Sequence, residues 1–196
     1  RFLLFFACLF LVVDAIAQSG IELRAYYGIS GSSVARKVEL VGASDVEMNR
    51  VMELGFTASR SMGERVRINT GINYTFGKVS YISNSPPCVN CLIGYDHNPN
   101  FRMVSVPLFG EIALGKVFYA GAGPLVDFQL SEKNNFTKQS GLGYLVGVGA
   151  RASAGNFVFS LFSNYKRHGV APFVRSMSQK FIFQELGMQM GVGYRF

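Results

Sequence analysis

The hydrophobic pattern of this chain has a period of two. It is clearest in the tail, where Leu186, Met188, Met190, Val192, Tyr194 and Phe196 share one phase and Gly187, Gln189, Gly191, Gly193 and Arg195 share the other. A strand with one wholly apolar face and one small or polar face suits a wall with hydrocarbon on one side and a polar interior on the other. The same alternation returns in eight segments: Gly20 to Ser30, Glu47 to Arg60, Arg65 to Lys78, Phe101 to Leu114, Lys116 to Leu130, Ser140 to Ala154, Asn156 to Arg167 and Phe181 to Phe196. Each is long enough to cross a bilayer as a tilted strand, which takes about 9–11 residues.

The connections alternate in kind. Short turns are expected at Ser61 to Glu64, at Gly115-Lys116 and around Gly155-Asn156, where glycine supplies the positive φ of a tight hairpin. Long polar connections are expected at Gly31 to Val46, Val79 to Asn100, Ser131 to Gln139 and His168 to Lys180. Short and long in turn, beginning and ending on the short side, is the rhythm of an even-stranded membrane barrel. The predicted fold is therefore all-β, an eight-stranded antiparallel up-and-down transmembrane β-barrel, in one domain over 18–196.

Period two does not say which face points inward, so a soluble barrel with an apolar interior must be weighed. The polar phase is too poor in charge to be a water-facing surface. It reads Arg67, Asn69, Gly71, Asn73 and Thr75 in the third segment and Gly143, Leu145, Gly147, Gly149, Arg151 and Ser153 in the sixth. Small residues like these fit the narrow inside of an eight-stranded barrel. The apolar phase is then the lipid face, with Tyr27, Tyr74, Phe118, Phe157, Tyr194 and Phe196 as an interfacial girdle. This choice collects charge inside: Glu22, Glu53, Glu111, Asp127 and Glu185 against Arg24, Arg67, Arg151, Lys166 and Arg195. Charges in a low-dielectric lumen are expected to pair into a hydrogen-bonded network, either a stabilising plug or a path for ions. The narrowness of the barrel favours the plug.

Near the start, Phe2 to Val13 is an unbroken apolar run followed by Asp14 and Ala15-Ile16-Ala17. It reads as the apolar region and cleavage site of a secretory signal peptide over 1–17, clipped at its start, and is shorter than the ~20 residues of a spanning helix. The net charge of +7 raises the question of nucleic acid, but the basic residues neither cluster nor interleave with stacking aromatics. Anionic lipids or glycans are a better match for that charge. Of three cysteines, Cys8 leaves with the signal, and Cys88 and Cys91 in Pro86-Pro87-Cys-Val-Asn-Cys read as a small loop disulfide in an exported chain. Redox catalysis would need a helix N-terminus, and a metal site recruiting Asp96 and His97 would rest on loose spacing. No cofactor or metal is expected.

Three stretches carry a resemblance: Val104-Ser-Val-Pro-Leu-Phe-Gly-Glu111, Lys116-Val-Phe-Tyr-Ala-Gly-Ala-Gly-Pro-Leu125 and Gly141-Leu-Gly-Tyr-Leu-Val-Gly-Val-Gly-Ala150. They resemble the middle strands of small bacterial outer-membrane β-barrel proteins of the porin-family or PorT-like kind, an OmpA-type eight-stranded barrel with no periplasmic domain. The likeness extends over most of the chain from Gly20 to Phe196. It implies an integral outer-membrane location in a Gram-negative envelope, with periplasmic termini and four extracellular loops. It also implies that the closing strand with Tyr194 and Phe196 is the signal read by the barrel-assembly machinery. Pro107 and Pro124 lack a ladder donor and are expected at bulges or breaks in pairing.

Three functions follow for testing. The first is a non-enzymatic barrel whose external loops bind a surface ligand or an envelope protein partner, with the loop from Val79 to Asn100 and its Tyr81, Tyr95 and His97 as the candidate binding surface. The second is a lipid-modifying enzyme using His97 or His168, both expected in external connections, with Ser163, Ser176, Ser178 or Glu185; no spacing among these is diagnostic. The third is a narrow ion channel that responds to changes at Glu53 or Arg67. The first is the expectation carried forward.

Overall fold

The computed structural model describes residues 20–36, 45–82, 100–131, 138–173 and 181–196. The signal-peptide segment, Cys88, Cys91, Tyr95, His97, Ser176 and Ser178 lie outside the described residues. Eight strands form in chain order: β1 Ile21–Arg36, β2 Asp45–Met62, β3 Val66–Ile82, β4 Asn100–Leu114, β5 Phe118–Gln129, β6 Gly141–Ala154, β7 Phe157–Pro172 and β8 Phe181–Arg195. Each pairs antiparallel with its chain neighbours and β1 closes on β8, giving one closed barrel. Closure satisfies every sheet edge, which is what a wall in hydrocarbon requires.

Short turns join β2 to β3, β4 to β5 and β6 to β7, with Gly63, Gly115 and Gly155 at φ of 87°, 92° and 61°. Those left-handed values are the reason glycine stands there. The opposite end, called here the loop end, carries the long connections. The ladder is interrupted, with its register kept, where proline predicts a break in pairing. Between β3 and β4 pairing jumps from Thr70↔Leu108 to Asn73↔Ser105, across Pro107. Between β4 and β5 it jumps from Pro107↔Leu125 to Gly110↔Ala122, across Pro124.

Three strands run further toward the loop end than their sequence suggests. β1 continues to Arg36, β3 to Ile82 and β7 to Pro172. Ser30-Gly31-Ser32-Ser33 looks like a turn, yet it pairs residue for residue with Gly187 to Gln184 of β8. The neighbouring ladder supplies the backbone partners and overrides weak local propensity. Three expectations change as a result. Tyr81 belongs to a strand opposite Val46 rather than to a loop. His168 lies inside β7 and is fully buried, not in an external connection. Tyr27 and Tyr74 fall mid-strand, so the aromatic cluster at the turn end is built by Phe157, Tyr194 and Phe196 instead.

The two phases of each strand separate as expected. Phe56 is 67% exposed and Leu186 65%, while Glu22 is 2% exposed and Asp127 0%. This inverts a water-soluble protein, whose large apolar side chains each gain about 1.5–3 kcal/mol by leaving water. The inner phase stacks in layers. Toward the loop end the lumen is closed by Met48, Val51, Val79, Phe101, Met103 and Phe183. A second apolar layer of Phe109, Tyr119, Leu125, Leu145 and Phe162 lies deeper, its rings stacked at 5.6–6.0 Å.

Candidate functional site: the lumen charge network

Charge inside the barrel divides into two clusters separated by the deeper apolar layer. On β4, parity places Glu111 on the turn side of Phe109 and Ser105 on its loop side. On β7 it places Phe162 before Lys166 and His168. Strand alternation alone therefore sorts these residues onto one wall at successive depths.

The turn-end cluster gathers four guanidiniums around two carboxylates. Glu22 faces Arg67 and Arg195 at 3.3 Å each, Arg151 at 3.8 Å and Arg24 at 3.9 Å. Glu111 holds Arg151 at 2.7 Å and Arg24 at 3.7 Å. The Arg151 guanidinium also lies 4.7 Å from the centre of the Tyr119 ring, a cation–π contact that ties the cluster to the apolar layer. Arg195 is 41% exposed, so this end of the network is open to solvent.

The loop-end cluster gathers three carboxylates around one ammonium and one imidazole. Lys166 donates to Glu53 and to Glu185 Oε1, the latter at 2.8 Å. His168 has Asp127 Oδ2 at 3.1 Å on Nδ1 and Glu185 Oε1 at 3.4 Å on Nε2. Both ring nitrogens thus face a carboxylate, and the ring stacks on Phe183 of the closing layer at 5.0 Å. Neutral groups complete the shell. Asn73 donates to Glu53 at 2.8 Å, Gln189 donates to Glu53, Ser105 donates to Asp127 at 2.7 Å and Ser30 donates to Glu185 at 3.0 Å. Every charged member is buried, and each carboxylate accepts more than one hydrogen bond or ion pair, which is the condition for holding charge away from water.

All ten charged residues assigned inward by parity point into the lumen, with Lys166 as the bridge of the loop-end cluster. Sequence reasoning missed His168 and did not foresee Asn73, Gln189 and Ser105 as ligands of the carboxylates. The signal for His168 was present: it shares the phase of Asn164 and Lys166, two residues further along. Tyr26 lays its ring over Gly55, its partner on the neighbouring strand, where a Cβ would stand 2.4 Å from the ring. Among the described residues, no nucleophile stands beside His168. Ser163 lies on the outer phase of β7, and Ser105 donates its hydrogen bond to Asp127 rather than to His168.

Closed topology, eight strands and an apolar outer wall over a charged lumen settle the architecture. It has the fold of a small outer-membrane barrel. The barrel is similar to outer membrane protein OprG from Pseudomonas aeruginosa, with a TM-score of 0.59 and 13% identity over 91% of this chain and 96% of that one. It is also similar to outer membrane protein AlkL in lipid bilayers (0.58, 10% identity, 91% and 90% covered) and to Neisserial surface protein A (0.50, 16% identity, 91% and 98% covered). No protein-family model and no curated protein matches the chain. At these identities the likeness is one of fold.

Proposed function

We propose that this protein is a non-enzymatic integral outer-membrane barrel whose lumen is a structural plug and whose loops do the work, by binding a surface ligand or an envelope partner. The observation that supports this reading is the pairing of an apolar outer wall with a lumen in which charge is consumed by internal ion pairs. Ions crossing such a lumen would have to displace those pairs and pass two apolar layers. Function is then left to the loop end, which we place outside the cell, with the termini and short turns in the periplasm. Tyr81, at the base of the connection that carries Cys88, Cys91, Tyr95 and His97, is where β3 delivers that loop.

The test has two steps on one sample. Protein folded in detergent should migrate as a heat-modifiable band, the mark of a closed barrel. The same protein in planar bilayers should then show no steady conductance. Stable conductance that changes on Glu53→Gln or Arg67→Gln would overturn the plug and make the lumen charges a path.

A further inference from the structure

Among the strand residues whose side chains are described, none on the outer phase is a carboxylate; Asp45 and Glu47 of β2, in phase with the Asn49 that pairs with Lys78, are not among them. The described charged residues of that phase are cations alone: Arg60 near the turn end, and Lys78, Arg102 and Arg167 toward the loop end. Lys78 and Arg102 lie on adjacent strands. Lys78 is in register with Asn100 and Phe76 with Arg102, so the two cations are diagonal neighbours, about 7–8 Å apart at the backbone. Val79, Phe101 and Met103 beside them are fully buried in the lumen, which fixes Lys78 and Arg102 on the opposite, outward face. Both are exposed, and among the described residues neither forms an ion pair.

A dent in the wall lies under them. The register of β2 against β3 shifts between Asn49 and Met52, a bulge opposite Gly77, which has no side chain to fill the space. The resulting cleft of about 450 Å³ is lined by Lys78, Arg102 and Asn100 on its polar side and by Met52 and Phe76 on its apolar side. Two cations with no ion pair among the described residues, above an apolar floor and on a wall that faces hydrocarbon, match one ligand chemistry: a phosphate joined to acyl chain. A soluble anion would satisfy the cations and leave Met52 and Phe76 idle, and a neutral lipid would do the reverse.

We infer that the cleft between β2, β3 and β4 is a binding site for a phosphate-bearing membrane lipid, its headgroup held by Lys78, Arg102 and Asn100 and its chain laid over Met52 and Phe76. The inference rests on the membrane reading given above. Charge-assisted bonds from two cations to one phosphate are the source of its selectivity.

The test is native mass spectrometry of the full chain folded in detergent, with dimyristoyl phosphatidic acid as probe and dimyristoylglycerol as its phosphate-free match. The unaltered barrel should retain phosphatidic acid and not the glycerol lipid, and excess inorganic phosphate should not displace it. Lys78→Gln with Arg102→Gln should lower the retained fraction about tenfold or more, the scale of one lost charge-assisted bond, while Arg60→Gln leaves it unchanged. Equal retention by the double variant, equal retention of the glycerol lipid, or displacement by inorganic phosphate would each overturn the site. Heat-modifiable mobility of every variant reports separately on the barrel: a chain with no such band overturns the membrane reading and the lipid site with it.

Discussion

The two charge clusters of the lumen use the same side-chain chemistry and hold it in opposite ways. At the turn end, guanidiniums outnumber carboxylates and Arg195 reaches solvent, so each glutamate has several partners and each partner is replaceable. At the loop end, carboxylates outnumber cations, and the cluster is sealed under Phe183 and its neighbours. Here Lys166 alone bridges Glu53 and Glu185. The difference shows that a barrel can carry similar charge as a redundant, wet cluster or as a dry one hung on a single residue. Redundancy belongs where water can enter.

That contrast can be broken by three substitutions, each read as unfolding free energy from urea titrations in lipid vesicles. The largest effect is expected for Lys166→Met, which leaves two buried carboxylates without their shared cation and should cost about 3–5 kcal/mol. A cost below about 1 kcal/mol would mean that water reaches Glu53 and Glu185 after all. Arg151→Met should come next, at about 1–2 kcal/mol, because Arg24 still faces Glu111 and Arg67 still faces Glu22. Arg195→Gln should be smallest, within about 0.5 kcal/mol, since its pair with Glu22 is screened by solvent. An Arg151 effect as large as that of Lys166 would erase the distinction between the clusters.

Much of this arrangement was legible in the sequence because a barrel wall imposes a strict rule: each step of two along a strand returns to the same face. Glu22, Arg24 and Arg195 were placed in the lumen by that rule alone, and the positive-φ glycines marked the tight turns. Two things were less legible. The outer ends of β1, β3 and β7 carry Ser, Gly and Val in sequences that local chemistry assigns to loops, and only the adjacent ladder makes them strands. His168 was lost with them, since Gly169, at φ 60°, follows it and reads as a break. The partner of each charge was also hidden. Lys166 meets Glu53 across 113 residues of chain, and that encounter depends on the stagger and tilt of the closed barrel, which residue order does not encode.

The unequal strand lengths have a consequence for what the protein presents to its surroundings. β2 has 18 residues and β5 has 12. At about 3.4 Å per residue and a tilt near 40°, six further residues raise one side of the cylinder by about 15 Å. On the low side the outer wall stays apolar to its edge, with Phe128 packed on Phe173 at 5.8 Å. On the high side the pairing of β1 with β8 reaches Arg36↔Phe181, and that of β2 with β3 reaches Asp45↔Ile82. The mouth of the barrel is therefore oblique. Segments carried by the tall side leave the ladder further from the turn end than those carried by the short side. An approaching macromolecule would meet a ramp rather than a ring.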